Sequence, residues 1–499
     1  MASQYTTQST LVKSRTQIAK DSRPEAETPC QTTKSMGSNG VGKDDHEPVS
    51  PTGQYFNSSV LSVSVICALE SEIPIDDSLT LTLLKDVFLP INPRFSSIMV
   101  TDDHGVKQWK RVDVKPEDHI HKPIFADGLS AEAYDVHLQD HLSSMAMEKL
   151  SQNRPLWEIH IFKYPTSNAA GTLIFKLHHA LGDGFSLMSA LFSCFQRADD
   201  PSLPITFPSI QLQDDKDVGI CKVVPNFFSK LYYTTTDFAW SVLKSNVLVD
   251  DKTPIRSGTE GVEFLPITIS TVTFSLDTIK QIKAKVGGTV NDVLVGTIFY
   301  GTRLYMQNTS KGSSNANSTA LVLLNTRVIH TYRSLKDMVK PDAESPWGNQ
   351  FGFLHVSIPE FVDAESADPL KFVHEAKETI KRKKSSLAVF LTGGVLDLMR
   401  KFRGPETTAC YIHSTLQNTS MTLSNMIGPS EQIALANHPC KGMYFMVVAV
   451  PQSLTITMVS YMGKVRVAIG AEKGFINHQQ FTACMEKAFE RIFKAAINS

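Results

Sequence analysis

Two adjacent histidines, His178 and His179, follow the strand-like run 171–177, and Ala180-Leu181-Gly182-Asp183-Gly184 leads from them into a second apolar run beginning at Phe185. Imidazole titrates near neutral pH, so it suits removal of a hydroxyl proton while an acyl carbonyl is attacked. Neighbouring residues on a strand point to opposite faces, so only one of the pair can face a given cleft. The acid at Asp183 can turn back to hold the local backbone or a basic partner, and Gly184 leaves room for close backbone approach. A His-His pair taken alone is more often packed or exposed than catalytic. The Asp183-Gly184 spacing and the apolar strand before the pair tip the balance toward chemistry. No metal is expected here, because adjacent strand residues diverge and the spacing suggests no third ligand.

The elements that must position this segment are legible from periodicity. Strands are expected at 60–69, 109–114, 157–162 and 172–177. A helix at 79–89 should be broken by Pro90 and Pro93, and one at 131–150 carries Tyr134, Leu138, Leu142 and Met145 on one stripe. The run 185–196 reads as an apolar helix. Residues 199–263 are irregular and rich in Pro, Asp and Lys, with one embedded helix that places Phe227, Leu231, Phe238 and Val242 on a single face. Beyond them come a strand at 266–274, helices at 276–286 (capped by Ser275) and 290–306, and a strand at 319–324. A helix opening at Asp368-Pro369, a hairpin at 454–461 and 464–471, and a terminal helix at 479–497 complete the pattern.

The chain has 499 residues, too many for one ordinary core, so two domains are expected. Residues 1–46 are polar and read as a disordered extension. The expected division is 47–198 for a first α/β domain, 199–263 for a crossover and 264–499 for a second domain. Net charge is −1, which speaks against a nucleic-acid partner. The seven cysteines are scattered without a Cys-x-x-Cys pair, so reduced thiols facing the cytosol are expected rather than a zinc or disulfide framework. No apolar run reaches the roughly 18 residues of a spanning helix, and no signal-peptide core follows Met1. A protein of this kind that handles lipid meets the membrane from its surface.

The segment His178-His179-x-x-x-Asp183-Gly184 matches the HHxxxDG signature of CoA-dependent acyltransferases and peptide-synthetase condensation domains. Further motifs stand in order: Arg154-Pro155-Leu156-Trp157-Glu158, Thr289-Val290-Asn291-Asp292-Val293, Leu324-Asn325-Thr326-Arg327, Trp347-Gly348-Asn349-Gln350-Phe351-Gly352 and Ser424-Asn425-Met426-Ile427-Gly428-Pro429. Together they resemble the plant-type branch of the wax ester synthase/diacylglycerol acyltransferase family over residues 47–499. The Asp-Phe-Gly-Trp-Gly motif of plant acyltransferases that make small-molecule esters is missing.

The resemblance implies mixed α/β architecture, with two chloramphenicol-acetyltransferase-like domains and an active-site tunnel between them. It implies His179 as general base on a long-chain alcohol or on diacylglycerol, with His178 packed away. Asp183 and Gly184 would be supporting residues, and Asp183 would pair with Arg327. Asn425, Trp157 and Asn291 are candidates for substrate or oxyanion contact. No metal and no cofactor are implied, acyl-CoA being a co-substrate. The location implied is the cytosolic surface of the endoplasmic reticulum membrane, ahead of plasma membrane or plastid.

Plainer readings stand beside these. Trp157 suits a core, Asn291 and Asp292 suit a helix start, Arg327 a stabilising ion pair, and Asn425 a turn. The basic run 381–384 suits the last turn of a helix as well as CoA phosphates or anionic lipid. The helix at 227–243 suits a bilayer interface or packing across the domains. Competing functions are an acyltransferase acting mainly on diacylglycerol, a lipid- or acyl-CoA-binding relative with a relic site, and a condensation-type domain acting on carrier-protein thioesters.

Overall fold

Strand β1 (Ser64–Ser71) lies in the middle of a seven-stranded sheet and is buried along its whole length. Around it stand β2 (Ile120–His121), β3 (Trp157–Phe162), β4 (Gly171–His178) and β5 (Gln196–Arg197). A six-stranded sheet holds β6 (Ile267–Ser275), β7 (Thr319–Asn325), β8 (Phe351–Ser357) and β9 (Met421–Ile427), with β12 (Leu454–Tyr461) and β13 (Lys464–Glu472). Strands β10 (Ile433–Leu435) and β11 (His438–Val448) come from the C-terminal half yet join the first sheet, whose order is β2-β3-β4-β1-β11-β10-β5. The second sheet runs β8-β7-β9-β12-β13-β6. The sequence boundary at 264 is therefore not a boundary between sheets. The structure, a computed structural model, describes residues 46–103, 106–208, 220–313, 315–327, 347–360, 363 and 366–498. The expected polar extension lies outside them except for His46.

Local chemistry explains the helix starts. Helix α1 (Pro51–Phe56) is capped by Ser50, α2 (Ala131–Met147) by Ser130 and α3 (Gly184–Ser193) by Asp183. Helix α4 (Ile220–Asn246) is the one embedded in the crossover. Helix α5 (Leu276–Val286) runs from Ser275 to Gly287, whose φ of 59° is the left-handed conformation that favours glycine at a helix end. Helix α6 (Val290–Thr309) opens with a capping box of Thr289 and Asp292, and α7 (Pro369–Ser385) with Asp368 and proline at its first position. Helices α8 (Ala388–Arg403), α9 (Pro405–Gln417) and α10 (His478–Asn498) follow.

Pro90 does not end its helix. The chain passes through a π-helical turn, Leu84–Phe88, continues to Ile91 and stops at Asn92-Pro93. A widened turn accommodates the proline ring and the missing N–H. Strand β1 begins at Ser64 rather than at residue 60.

One large apolar core fills the space between the second sheet and α5, α6, α7 and α10, and another covers the outer face of the first sheet. A smaller cluster joins the sheets: Ile66, Ile174 and Met446 meet Ile269, Ala468 and the Leu142 and Met145 of α2. The Arg466–Glu70 ion pair spans the same seam.

Candidate active site

Strand β4 ends at His178, and both histidines are buried. They are held differently. His178 places Nε2 3.2 Å from Ser62 Oγ, while its Nδ1 accepts from the backbone N–H of Ala180 at 3.1 Å. Burial drives its pKa down to about 3, with smaller contributions from His179, Lys176 and Lys107. It is a packed, neutral residue.

His179 leaves the strand and hydrogen-bonds from its backbone N–H to Val63 O at 2.9 Å. Its Nδ1 lies 2.9 Å from Asn349 Oδ1, and Asn349 Nδ2 donates to the His179 carbonyl at 2.9 Å. This reciprocal pair assigns the tautomer. The Asn349 amide nitrogen is used on the carbonyl, so its oxygen faces the ring and Nδ1 must carry the proton. Nε2 then holds the lone pair a general base needs. Burial pushes the His179 pKa below its usual 6.5, opposed by the Asp183 charge, a backbone hydrogen bond and Asn349. The ring is neutral at physiological pH.

The turn itself is tied from several sides. Asp183 Oδ1 accepts from Ser186 N at 3.0 Å, and Oδ2 accepts from Gln350 N at 2.9 Å and pairs with Arg327 Nη1 at 2.5 Å. Arg327 also donates to Gly348 O and to Ser186 Oγ, and its guanidinium lies over the Phe185 ring, 5.3 Å from the centroid. Trp347 Nε1 donates to Leu181 O at 2.8 Å. A Cβ at Gly184 would come within 3.1 Å of Met426 Sδ, so glycine lets α3 start against β9. Asp183, Gly184 and Arg327 thus belong to one buried assembly that fixes the backbone on which His179 rides.

Asn425 is exposed on β9, not in a turn, and its Nδ2 donates to Asn291 Oδ1 at 3.2 Å. The two candidates are brought together, next in sequence to the Met426 that faces Gly184. Trp157 is a correction to the substrate-contact reading. It is fully buried, donates from Nε1 to Phe95 O at 2.9 Å and stacks on His119. The aromatic surface beside His179 comes instead from Phe56 and Phe351, with ring centroids 4.7 and 5.4 Å from that of the imidazole.

Phe56 and Phe351 also line a cavity of about 170 Å³ bounded by α1, β8, α4, α8 and α9. Its wall is mixed: Phe353, Val389, Leu396 and Ile412 are apolar, whereas Ser241, Ser245, Thr392, Tyr411 and Thr415 are polar. Asn349 had no role assigned from sequence, and the tunnel implied by the motifs came without its lining residues. The Trp347-to-Gly352 motif was the available signal, but it carried no assigned role.

The wax ester synthase/diacylglycerol acyltransferase catalytic-domain model matches residues 88–294, and the WS/DGAT C-terminal domain model matches residues 347–493. Wax ester synthase/diacylglycerol acyltransferase 11 of Arabidopsis thaliana is 29% identical over 451 residues, covering 86% of this chain and 90% of that relative. Among solved structures, the wax ester synthase/diacylglycerol acyltransferase from Marinobacter aquaeolei VT8 superposes with a TM-score of 0.56 at 16% identity, covering 90% of this chain and all 100% of that one. The first condensation domain of the CDA synthetase gives a TM-score of 0.50 at 12% identity, covering 87% of this chain and 90% of its own. The fold is accordingly the chloramphenicol-acetyltransferase-like pair of α/β lobes expected from the motifs.

Proposed function

The chain belongs to the wax ester synthase/diacylglycerol acyltransferase family and is an acyltransferase, and we propose that it moves a long-chain acyl group from CoA to the hydroxyl of a long-chain alcohol, with His179 as general base. The observation that carries the assignment is the Asn349 clamp, which leaves Nε2 of a neutral imidazole available beside the aromatic wall of the cavity. In this reading the acceptor oxygen attacks the thioester carbonyl as its proton passes to His179 Nε2. The tetrahedral oxyanion then collapses, the C–S bond breaks, and the imidazolium returns the proton to the departing CoA thiolate. Both substrates meet in one ternary complex, so no acyl-enzyme is required. No cofactor takes part.

A second acceptor, diacylglycerol, is favoured by the Ser241 and Tyr411 hydroxyls of the cavity wall, whereas Ser245 donates to Ser241 O and Thr415 to Ser245 Oγ. A plain alkyl chain has nothing to hydrogen-bond there, whereas the ester carbonyls of a diacylglycerol do.

We assign membrane contact to α4 and α8, which pack together. The face of α4 turned inward is polar: Thr234, Asp237, Ser241, Lys244 and Ser245 are buried. Of the expected apolar stripe, Leu231 is 53% exposed while Phe238 and Val242 are half-buried, and beside it Tyr232 is 65% and Leu243 44% exposed, so apolar side chains lie on the outer side of a helix whose inward face is polar. The side chain of Phe227 lies outside the described residues. On α8 only Ala388 is buried, and Phe390, Leu391, Leu398 and Phe402 face outward while Val389, Thr392 and Leu396 line the cavity. Its last turn carries Lys401 and Arg403, suited to anionic headgroups, while Arg400 turns its buried Nε inward beside Tyr55. Among the described residues no helix is long and apolar enough to cross a membrane. Of the basic run at 381–384, Arg382 and Lys383 bind Asp237 at 3.1 and 2.9 Å, which tethers α7 to α4 rather than presenting a CoA-phosphate site. We place the enzyme peripherally on the cytosolic surface of the endoplasmic reticulum.

The test is a comparison of wild type and His179→Ala with a long-chain acyl-CoA and either a long-chain alcohol or diacylglycerol. Ester from wild type alone supports the reading, and the product ratio names the main acceptor. Equal turnover by a folded variant defeats it.

A further inference from the structure

On the first sheet, β2 runs parallel to β3 with His121 in register with His160. Glu158 and His160 stand two residues apart on β3 and so share a face. Their donor atoms converge: His121 Nε2 lies 3.8 Å from Glu158 Oε1, and His160 Nε2 lies 3.7 Å from Glu158 Oε2. One donor atom from each of the three side chains falls within 4.8 Å of the others. From these residues we propose a divalent metal site of zinc type, made by two imidazoles and one carboxylate.

The second observation is an unmet need. His160 is 5% exposed, and its Nε2 is sealed from solvent without a hydrogen-bond partner, as is Nε2 of His121. Such orphaned buried nitrogens are uncommon, and here two of them flank the same carboxylate. His141 Nε2 lies 3.0 Å from His160 Nδ1. If His160 Nδ1–H donates to it, His160 Nε2 presents its lone pair toward Glu158. That is the orienting contact a metal-bound histidine normally makes through its other nitrogen.

Zinc bonds of about 2.0–2.2 Å at tetrahedral angles separate neighbouring donors by about 3.3 Å, so the two carboxylate–imidazole gaps need to close by a few tenths of an ångström, while the widest separation in the triad, up to 4.8 Å, closes by rotation of the His121 ring, which stacks 4.6 Å from that of His160. Arg154 Nη2 is 3.6 Å from Glu158 Oε1, beyond hydrogen-bond length, and its Nη1 donates to Asp118 O instead. The side chain of His121 is 40% exposed, so its rotation is the way in for the ion. His160 is in register with Ile174, five residues before His179, a separation of about 16 Å along the strand. The site therefore stands apart from the reacting base, and its consequence is structural: it clamps the two-residue edge strand β2 to the sheet.

The experiment uses the full chain, stripped with a chelator and titrated with Zn²⁺ in competition with a chromophoric chelator, with Co²⁺ as a spectroscopic substitute. Wild type is expected to bind one equivalent with a Tm rise of a few degrees. His160→Gln and Glu158→Gln are expected to bind at least about tenfold more weakly. His121→Gln alters a half-exposed residue, so it serves if the buried variants fail to fold. Absence of binding by wild type, or equal affinity in folded His121→Gln, overturns the proposal.

Discussion

The turn after β4 and helix α8 border the same reaction space but are built on opposite terms. In the turn, Asp183 accepts from Ser186 and Gln350 and pairs with Arg327, all within buried surroundings. In α8, Gly393 and Gly394 sit mid-helix in open space, and large apolar side chains face outward. Glycine lowers helix stability, and exposed Phe390 and Phe402 gain little from folding in water. The contrast teaches a division of labour. His179 is held by a polar network that tolerates no displacement, whereas the wall of the cavity is left weakly stabilised on the side where the proposed lipid substrate would arrive.

The largest expected effect breaks the rigid side. His179→Ala should lower kcat by about 10²–10⁴-fold with an unchanged circular dichroism spectrum, measured on purified protein. Next, Arg327→Met leaves Asp183 buried without its cation and should destabilise the fold by about 3–5 kcal/mol, read from a denaturant titration. A smaller loss, about 10–100-fold in kcat, is expected for Asn349→Ala, because the ring is freed to take the wrong tautomer or tilt. Asn349→Asp should recover much of that activity. Its added negative charge should raise the His179 pKa and so move the acid limb of the rate profile to higher pH, which a merely structural residue would not do.

On the adaptable side, a Phe390→Glu/Phe402→Glu variant should lose flotation with anionic vesicles and turnover of bilayer-dispersed substrate. It should keep activity on short-chain soluble acyl-CoA and alcohol. Loss of both activities would mean that α8 shapes the site rather than the membrane contact.

A last effect is read in stability alone, through pH. His178 and His355 are pushed down to about 3 and His141 to about 4, chiefly by burial. The unfolded chain takes up protons on these residues below its ordinary pKa near 6.5, while the folded chain does not. Their contribution is therefore complete above about pH 6.5 and is lost progressively as pH falls toward 3. Denaturation midpoints at pH 7.5, 5.5 and 4.5 should decline in that order.

Much of the scaffold was legible beforehand. The 157–162 strand, the 276–286 helix and the 454–471 hairpin appear where alternation, capping and turn signals placed them, because each is decided by neighbours in sequence. Helices α8 and α9 escaped notice. The Gly393-Gly394 pair weakens the helical signal, and the outward apolar residues of α8 confuse its periodicity.

The site divides in the same way. Sequence alone determined that an imidazole would stand at a strand end before an Asp-Gly turn, since the order of residues makes that turn. Only the tertiary structure decided which atom of His179 is proton-free, because Asn349 reaches it from 170 positions away. It also decided that Trp157 is core, that Phe56 and Phe351 flank His179, and that residues 433–448 join the first sheet. A hydrogen bond or a ring contact depends on distance in space, and distant segments come together only when sheets pair and helices pack.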